Sequence, residues 1–349
     1  MQVQKYASCT LNKCYSIAPL TLNGTARILV AAEKSDPCLL FDTEGKMEDV
    51  IWEAPGGTMS MVQVPDKNGW FLATHRFYSP DNSAEASIVL ARPAEEGWKI
   101  TKVKDLPFCH RFSVISRGGV HYLVACTLKS GCGYDDDWRF PGKIYVAKLP
   151  DDLENYNKDR QIEMEVLKDG LLKNHGFCVV NTPEGDCCLA GTENGIYRCV
   201  PPEKKDGDWQ CECILDEPAS DMVPCDLDGD GKDELVVIAP FHGDHLSVWH
   251  LDENGKYYRF WDCPFETPMA HAIWAYNIYG KNTAVIGYRK GRRDLLALTC
   301  EDGEIKVHVL DENCGPANVF LFEEEGKVKM VSANRETDEI GFYVFEPEA

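Results

Sequence analysis

Three histidines and one aspartate recur where a repeated segment begins. His110 opens HRFSVI, His175 opens HGFCVV, Asp221 opens DMVPCD and His271 opens HAIWAY. MSMVQV at Met59 and ANVFLF at Ala317 fall in the same register, so the first residues of these runs are spaced 51, 65, 46, 50 and 46 apart. Imidazoles and a carboxylate gathered around open space suit a divalent transition metal such as Mn²⁺, Zn²⁺, Fe²⁺ or Ni²⁺. Three protein ligands with one open position is the catalytic arrangement. A single histidine in such a place more simply bonds a nearby backbone group, but three of nine at one repeat position argue for a shared role.

These residues converge only if the repeats close into a ring. Each is followed by a turn and a strongly apolar second run: RILVAAEK, WFLATHRF, HYLVACTLK, CCLAGTEN, ELVVIAPFHGDH, TAVIGYRKGRR and VKMVSANRE. That makes seven copies, at close to the roughly 40–50 residues that a four-stranded blade needs. Long amphipathic helical patterns are absent, and Gly, Asp and Asn punctuate short apolar runs. The expected fold is all-β: one seven-bladed β-propeller over residues 1–349, with six blades as the alternative. A surface insertion at 150–170 accounts for the longest interval, and Met1 to Ser8 are placed to pair with the last blade.

In a propeller the innermost strands line the axis, so His110, His175, His271 and Asp221 are expected at one height as metal ligands. The second runs end on that same face. This brings His75, His242, His245, Tyr288, Arg289 and Arg335 toward the site, with Lys129 and Lys290 nearby. The face should then be basic on a chain of net charge −21, able to focus an anionic ligand or a developing oxyanion. His75, His242 or His245 would act as base, Tyr288 as proton donor, and Arg289 or Arg335 as the anchor for a carboxylate or hydroxyl.

A second cluster is local. Asp226, Asp228, Asp230 and Asp233 alternate with glycines and lead into the apolar run LVVIAP. Carboxylates at this spacing wrap oxygen around a hard cation, so a structural Ca²⁺ is expected, or a turn held by its own Asx hydrogen bonds. From Pro224 to Phe241 the chain resembles the FG-GAP, or VCBS, repeat, which places such a loop between two strands of a propeller blade. With its axial histidines it also resembles the propeller of aldos-2-ulose dehydratases and, in layout, the oligogalacturonate lyases. That resemblance implies a metal-dependent carbon–oxygen lyase working by β-elimination on a sugar, keto-sugar or sugar acid.

Two other classes compete with this reading. One is a non-catalytic propeller that binds a protein or glycan, with Ca²⁺ as a structural ion. The other is a hydrolase or isomerase on the same metal site. The acidity disfavours nucleic acid, no apolar stretch is long enough for a membrane span, and a homo-oligomer is compatible with the sequence. Nucleotide loops and a GxSxG elbow are absent. Sixteen cysteines without a CxxC pair or a secretory leader fit buried free thiols in a reducing cytoplasm.

Overall fold

The computed structural model describes residues 1–204 and 207–347. Its strands form seven four-stranded antiparallel sheets, the blades of one propeller. From the inside out, blade 1 is Cys14–Leu22, Thr25–Ala32, Cys38–Phe41 and Met47–Trp52. Blades 2 to 6 repeat this order over 61–105, 109–171, 176–215, 221–262 and 270–311. Blade 7 takes its three inner strands from 318–346, and its outermost strand is Gln2–Thr10, paired with Glu339–Glu346. The first strand of the chain thus closes the ring against the last, as expected, and spares both blades an open edge. No α-helix occurs among the described residues, and no helix is long and apolar enough to cross a membrane.

The second strands are apolar on both faces because each blade is packed between two others. Leu29 and Ala31 face blade 2, whereas Ile28, Val30 and Ala32 face blade 7. Phe342 ties the closing blade to blade 1, its ring centroid 5.4 Å from Phe41 and 6.2 Å from Tyr6. Truncating a buried phenylalanine of this kind costs about 3–5 kcal/mol. All sixteen cysteines are free, many of them in these interfaces.

The 150–170 window divides in two. Residues 150–164 are a loop with one 3₁₀ turn at Leu153–Asn155, and the rest begins the outer strand Glu165–Leu171 of blade 3. Leu153 and Ile162 are buried against blade 2, and the Ile162 N–H donates to Val103 O at 3.0 Å. The extra length covers a blade edge.

Candidate functional site

A shared irregularity delivers the axial side chains. The pairing of inner and second strand slips between Cys14 and Ser16, between Cys109 and Arg111, and between Ala270 and Ala272. The bulged residues are Tyr15, His110 and His271. A β-bulge inserts one unpaired residue and re-aims its side chain, which here brings all three into one buried cluster. His175 reaches it from just before its strand, its N–H donating to Gly191 O at 3.0 Å.

By the same pattern Ser220, not Asp221, is level with the histidines. The Ser220 N–H donates to Ile238 O at 2.7 Å, and Asp221 is the next residue, paired with Ile238 as Gly176 is with Gly191. Asp221 therefore sits one layer below, beside Arg111, with 3.9 Å between carboxylate and guanidinium. A Cβ on Gly176 would lie 2.8 Å from the Asp221 Cα, so glycine makes room for this second layer. Burial pushes the Asp221 carboxyl up to about 6 against the pull of Arg111.

His175, His242 and His271 each offer a ring nitrogen within 4.8 Å of the others. His242 comes from the loop leaving the second strand of blade 5. Its left-handed backbone, φ 51°, folds the ring inward, and its N–H donates to Ser220 Oγ at 3.1 Å. His175 Nδ1 lies 2.9 Å from Ser220 O, and His271 Nδ1 lies 2.7 Å from Ala317 O. A carbonyl can only accept, so both Nδ1 atoms carry the proton and both Nε2 atoms keep a lone pair. This is how backbone groups fix the tautomer of metal-binding histidines. His175 Nε2 is buried without a hydrogen-bond partner among the described residues.

His110 packs on His175 with centroids 4.4 Å apart. It stands outside the closest trio, and its buried Nδ1 has no hydrogen-bond partner within normal geometry among the described residues. The Tyr15 hydroxyl lies between rings, 2.9 Å from His271 Nε2 and 3.5 Å from His110 Nε2. Burial is the main force on all of these groups. It holds His110, His175 and His271 well below the usual imidazole range and His242 near 3, with Arg111 and Arg289 adding to the effect. It raises the Tyr15 phenol to about 12. The rings are thus neutral, as metal ligands must be, and Tyr15 keeps its proton.

Aromatic side chains roof the cluster. Phe241 stacks on His242 with centroids 4.0 Å apart, and Trp138 meets Phe241 edge-on at 5.1 Å. The basic face expected from the sequence is largely neutralised by its own acids. Lys129 pairs with Asp81 at 2.7 Å, Arg289 with Glu336 at 2.8 Å, and Arg335 with both Glu33 and Glu336.

Several residues proposed for this site lie elsewhere. Tyr288 is buried between blades 5 and 6 and donates to Asp294 Oδ2 at 2.8 Å. His245 is on the flank of blade 5, 2.8 Å from Asp262 Oδ1. His75 packs edge-on against Trp52 between blades 1 and 2. Arg289 and Arg335 share Glu336, and Arg289 is close enough to disfavour protonation of His242 and His271. Tyr15, Ser220, Arg111 and the Phe241 lid were missed. The sequence signal for Tyr15 was present: Cys14-Tyr15-Ser16 precedes RILVAAEK as Cys109-His110-Arg111 precedes HYLVACTLK.

The acidic loop is a separate group. Asp226, Asp228 and Asp230 bring one oxygen each within 4.8 Å of the others. They also accept from the turn: Asp228 from Asp230 N–H at 3.1 Å, Asp226 from Gly231 N–H at 3.2 Å and Asp230 from Lys232 N–H at 2.8 Å. Asp233 is exposed and joins no such group. Glu234 also faces the loop, 2.8 Å from His250 Nδ1 and accepting Leu227 N–H at 2.8 Å.

Residues 219–256 match the FG-GAP repeat family. No curated protein matches the chain. Among solved structures, it is similar to BBS1N in complex with ARL6DN, at 11% identity and TM-score 0.62, covering 99% of this chain and 98% of that one. It is also similar to a putative 6-phosphogluconolactonase from Bacteroides uniformis, at 13% identity and TM-score 0.56, with 96% and 93% covered. The β-propeller domain of Cps50 (Swd1) from Myceliophteria thermophila gives 10% identity and TM-score 0.61, with 98% and 100% covered. At these identities the likeness is one of fold.

Proposed function

We propose that the axial cluster binds a divalent transition metal through His175, His242 and His271, and that the protein is a carbon–oxygen lyase for a carbohydrate bearing a carbonyl or carboxylate. The observation that carries this reading is the tautomer lock. Two imidazoles from different blades spend Nδ1 on backbone carbonyls and present Nε2 lone pairs to a third imidazole, in a pocket that keeps all three neutral. Three borderline nitrogen donors fit Mn²⁺, Zn²⁺, Fe²⁺ or Ni²⁺ better than a hard cation.

The metal would supply Lewis acidity toward a substrate carbonyl or carboxylate oxygen. The chain's own groups supply the rest. His110, held neutral by burial and packed on His175, would take the proton from the carbon next to that carbonyl. The electron pair left behind forms the new carbon–carbon double bond as the neighbouring carbon–oxygen bond breaks. The departing oxygen takes the proton of Tyr15, which burial keeps on the phenol. In the structure Tyr15 donates toward the same His271 lone pair that a metal would use. A metal held there would compete with Tyr15 for that lone pair and would leave the hydroxyl to His110 Nε2, 3.5 Å away. Phe241 and Trp138 limit water at the centre.

The test is to supply uronates, keto-sugars and their glycosides to metal-loaded protein and follow the unsaturated product by ultraviolet absorbance. Product formation abolished in His175→Ala and His242→Ala supports the reading. Hydrolysis or isomerisation without an unsaturated product moves the same site to a different reaction.

A second reading, a non-catalytic propeller that binds a protein or glycan, draws on the internally paired charges and the aromatic lid. In either case Asp226, Asp228 and Asp230 suit a structural Ca²⁺, since Asp226 Oδ1 is buried without a hydrogen-bond partner among the described residues, beside two further carboxylates.

A further inference from the structure

A row of thiols crosses blade 4. Antiparallel pairing sets Cys188 opposite Cys199 and Cys199 opposite Cys211, on the strands Cys187–Thr192, Gly195–Val200 and Gln210–Leu215. Residues directly opposite in antiparallel strands point to the same side of the sheet. The three side chains therefore share one face, and they pack with Cys126 of blade 3 between the two blades. Burial differs along the row. Cys126, Cys188 and Cys199 are buried, whereas Cys211, on the outermost strand, is half-buried.

Within the row, the Cys199 and Cys211 sulfurs lie 3.2 Å apart. The strand pairing slips between Ile196 and Tyr197 but is regular from Tyr197 to Val200, so the two residues face each other across an undistorted ladder. Directly opposed residues have Cα atoms about 4.5–5.5 Å apart, inside the roughly 4.4–6.8 Å that a disulfide spans. An S–S bond of about 2.05 Å needs these sulfurs to approach by only about 1.2 Å, within reach of side-chain rotation.

We infer that Cys199 and Cys211 are a site of reversible disulfide formation, oxidised by a low-molecular-weight disulfide of the glutathione class. Cys211 is the point of entry, because it is the more exposed of the two and Lys168 stands close enough to favour its thiolate. The Cys211 sulfur gives its proton to water and attacks the external disulfide. That S–S bond breaks, a mixed disulfide forms and one external thiolate leaves. Cys199 then gives its proton to water and attacks the Cys211 sulfur, releasing the second external thiolate. Both external thiolates are reprotonated, so two protein thiols are oxidised and one external disulfide is reduced to two thiols. Contact with Cys188 raises the Cys199 thiol above its usual range, and the hydrogen bond to Cys199, with burial, raises Cys211. Both keep their protons at neutral pH, so the exchange is slow and quickens as pH rises. The bridge ties the two outer strands of blade 4 and involves no axial residue.

The test uses the full chain, reduced, freed of reductant and equilibrated at mildly alkaline pH with mixtures of reduced and oxidised glutathione. Remaining thiols are alkylated in denaturant, and the bridges are mapped by mass spectrometry of peptides. The expected result is loss of two hydrogens and a Cys199–Cys211 cross-link that dithiothreitol reverses. Cys213 is exposed and on the same strand as Cys211, so Cys213→Ser should leave this cross-link in place. Cys199→Ala should instead halt at a mixed disulfide on Cys211. Both thiols remaining reduced in excess oxidised glutathione overturns the proposal. So does a bridge from either of them to Cys188 or Cys213 in place of the pair, or a wild-type Cys211 that carries only glutathione. The wild-type map decides the matter even if a variant fails to fold.

Discussion

His175, His242 and His271 come from three different blades and meet only when the ring is closed, whereas Asp226, Asp228 and Asp230 lie within five residues of one another. The axial group is built of nitrogen, mostly buried, with tautomers set by backbone carbonyls. The loop group is built of oxygen, largely exposed, and its carboxylates are partly occupied by their own turn. One cluster is a product of tertiary structure and the other of local sequence. The chemistry they suit divides in the same way: a borderline metal that can polarise a substrate at the axis, and a hard cation that stiffens a turn at the edge.

The largest effect expected from breaking this contrast is at Tyr15. Tyr15→Phe removes the proton donor of the proposed elimination and should lower kcat by about 10²–10⁴-fold, the usual range for a general acid or base. The same change removes a hydrogen bond that competes for His271 Nε2, so transition-metal affinity should rise. Single-turnover assay and metal titration of one variant read both. A parallel fall in activity and metal affinity would make Tyr15 a scaffold residue.

At the edge, Ca²⁺ at about 100 times its Kd should stabilise the wild-type protein by roughly 2.7 kcal/mol. The combined Asp226→Asn and Asp228→Asn variant should lose this gain without change in axial metal binding. Thermal unfolding with Ca²⁺ or a chelator measures it. Equal stabilisation in the variant would remove Ca²⁺ from the account of the loop.

A smaller effect sharpens the layer beneath the histidines. The folded protein holds the Asp221 proton up to about pH 6, whereas an ordinary aspartate releases it near 3.8. The native state thus binds the extra proton between those values, and its stability falls as pH rises through that window. Asp221→Asn abolishes this loss. It should therefore gain about 1–3 kcal/mol relative to wild type between pH 4 and pH 8, read as the difference in denaturation midpoints at the two pH values. A constant difference would mean that Asp221 is ionised throughout, held by Arg111.

The contrast also explains what could be read from the sequence. Seven blades, their second strands and the closing role of the N-terminal strand follow from apolar runs and turn residues repeated at blade spacing. The acidic loop is legible because its ligands are neighbours, and Glu234, one residue beyond Asp233, adds a further acid that faces it. At the axis, His175 and His271 are legible by repeat position. Ser220 and Asp221 could not be told apart, because a one-residue offset changes the side chain that meets the axis without changing the apolar pattern. His242 depends on a left-handed turn, and Tyr15 on a bulge in the one blade whose inner run was not aligned. Tyr288 looked available because it ends a strand. Its hydroxyl instead satisfies Asp294 between blades, a contact that only tertiary structure creates.

The most direct test of the central claim is transition-metal binding by wild-type protein beside a folded His175→Ala/His242→Ala variant, by elemental analysis and titration with Mn²⁺, Zn²⁺, Fe²⁺ and Ni²⁺. The account predicts one site per chain in the wild type, and affinity lowered in the variant by more than the roughly 10–100-fold that outer-shell changes cause, with Ca²⁺ binding retained. Absence of binding by every one of these ions to the wild type, or unchanged binding in the variant, would contradict it.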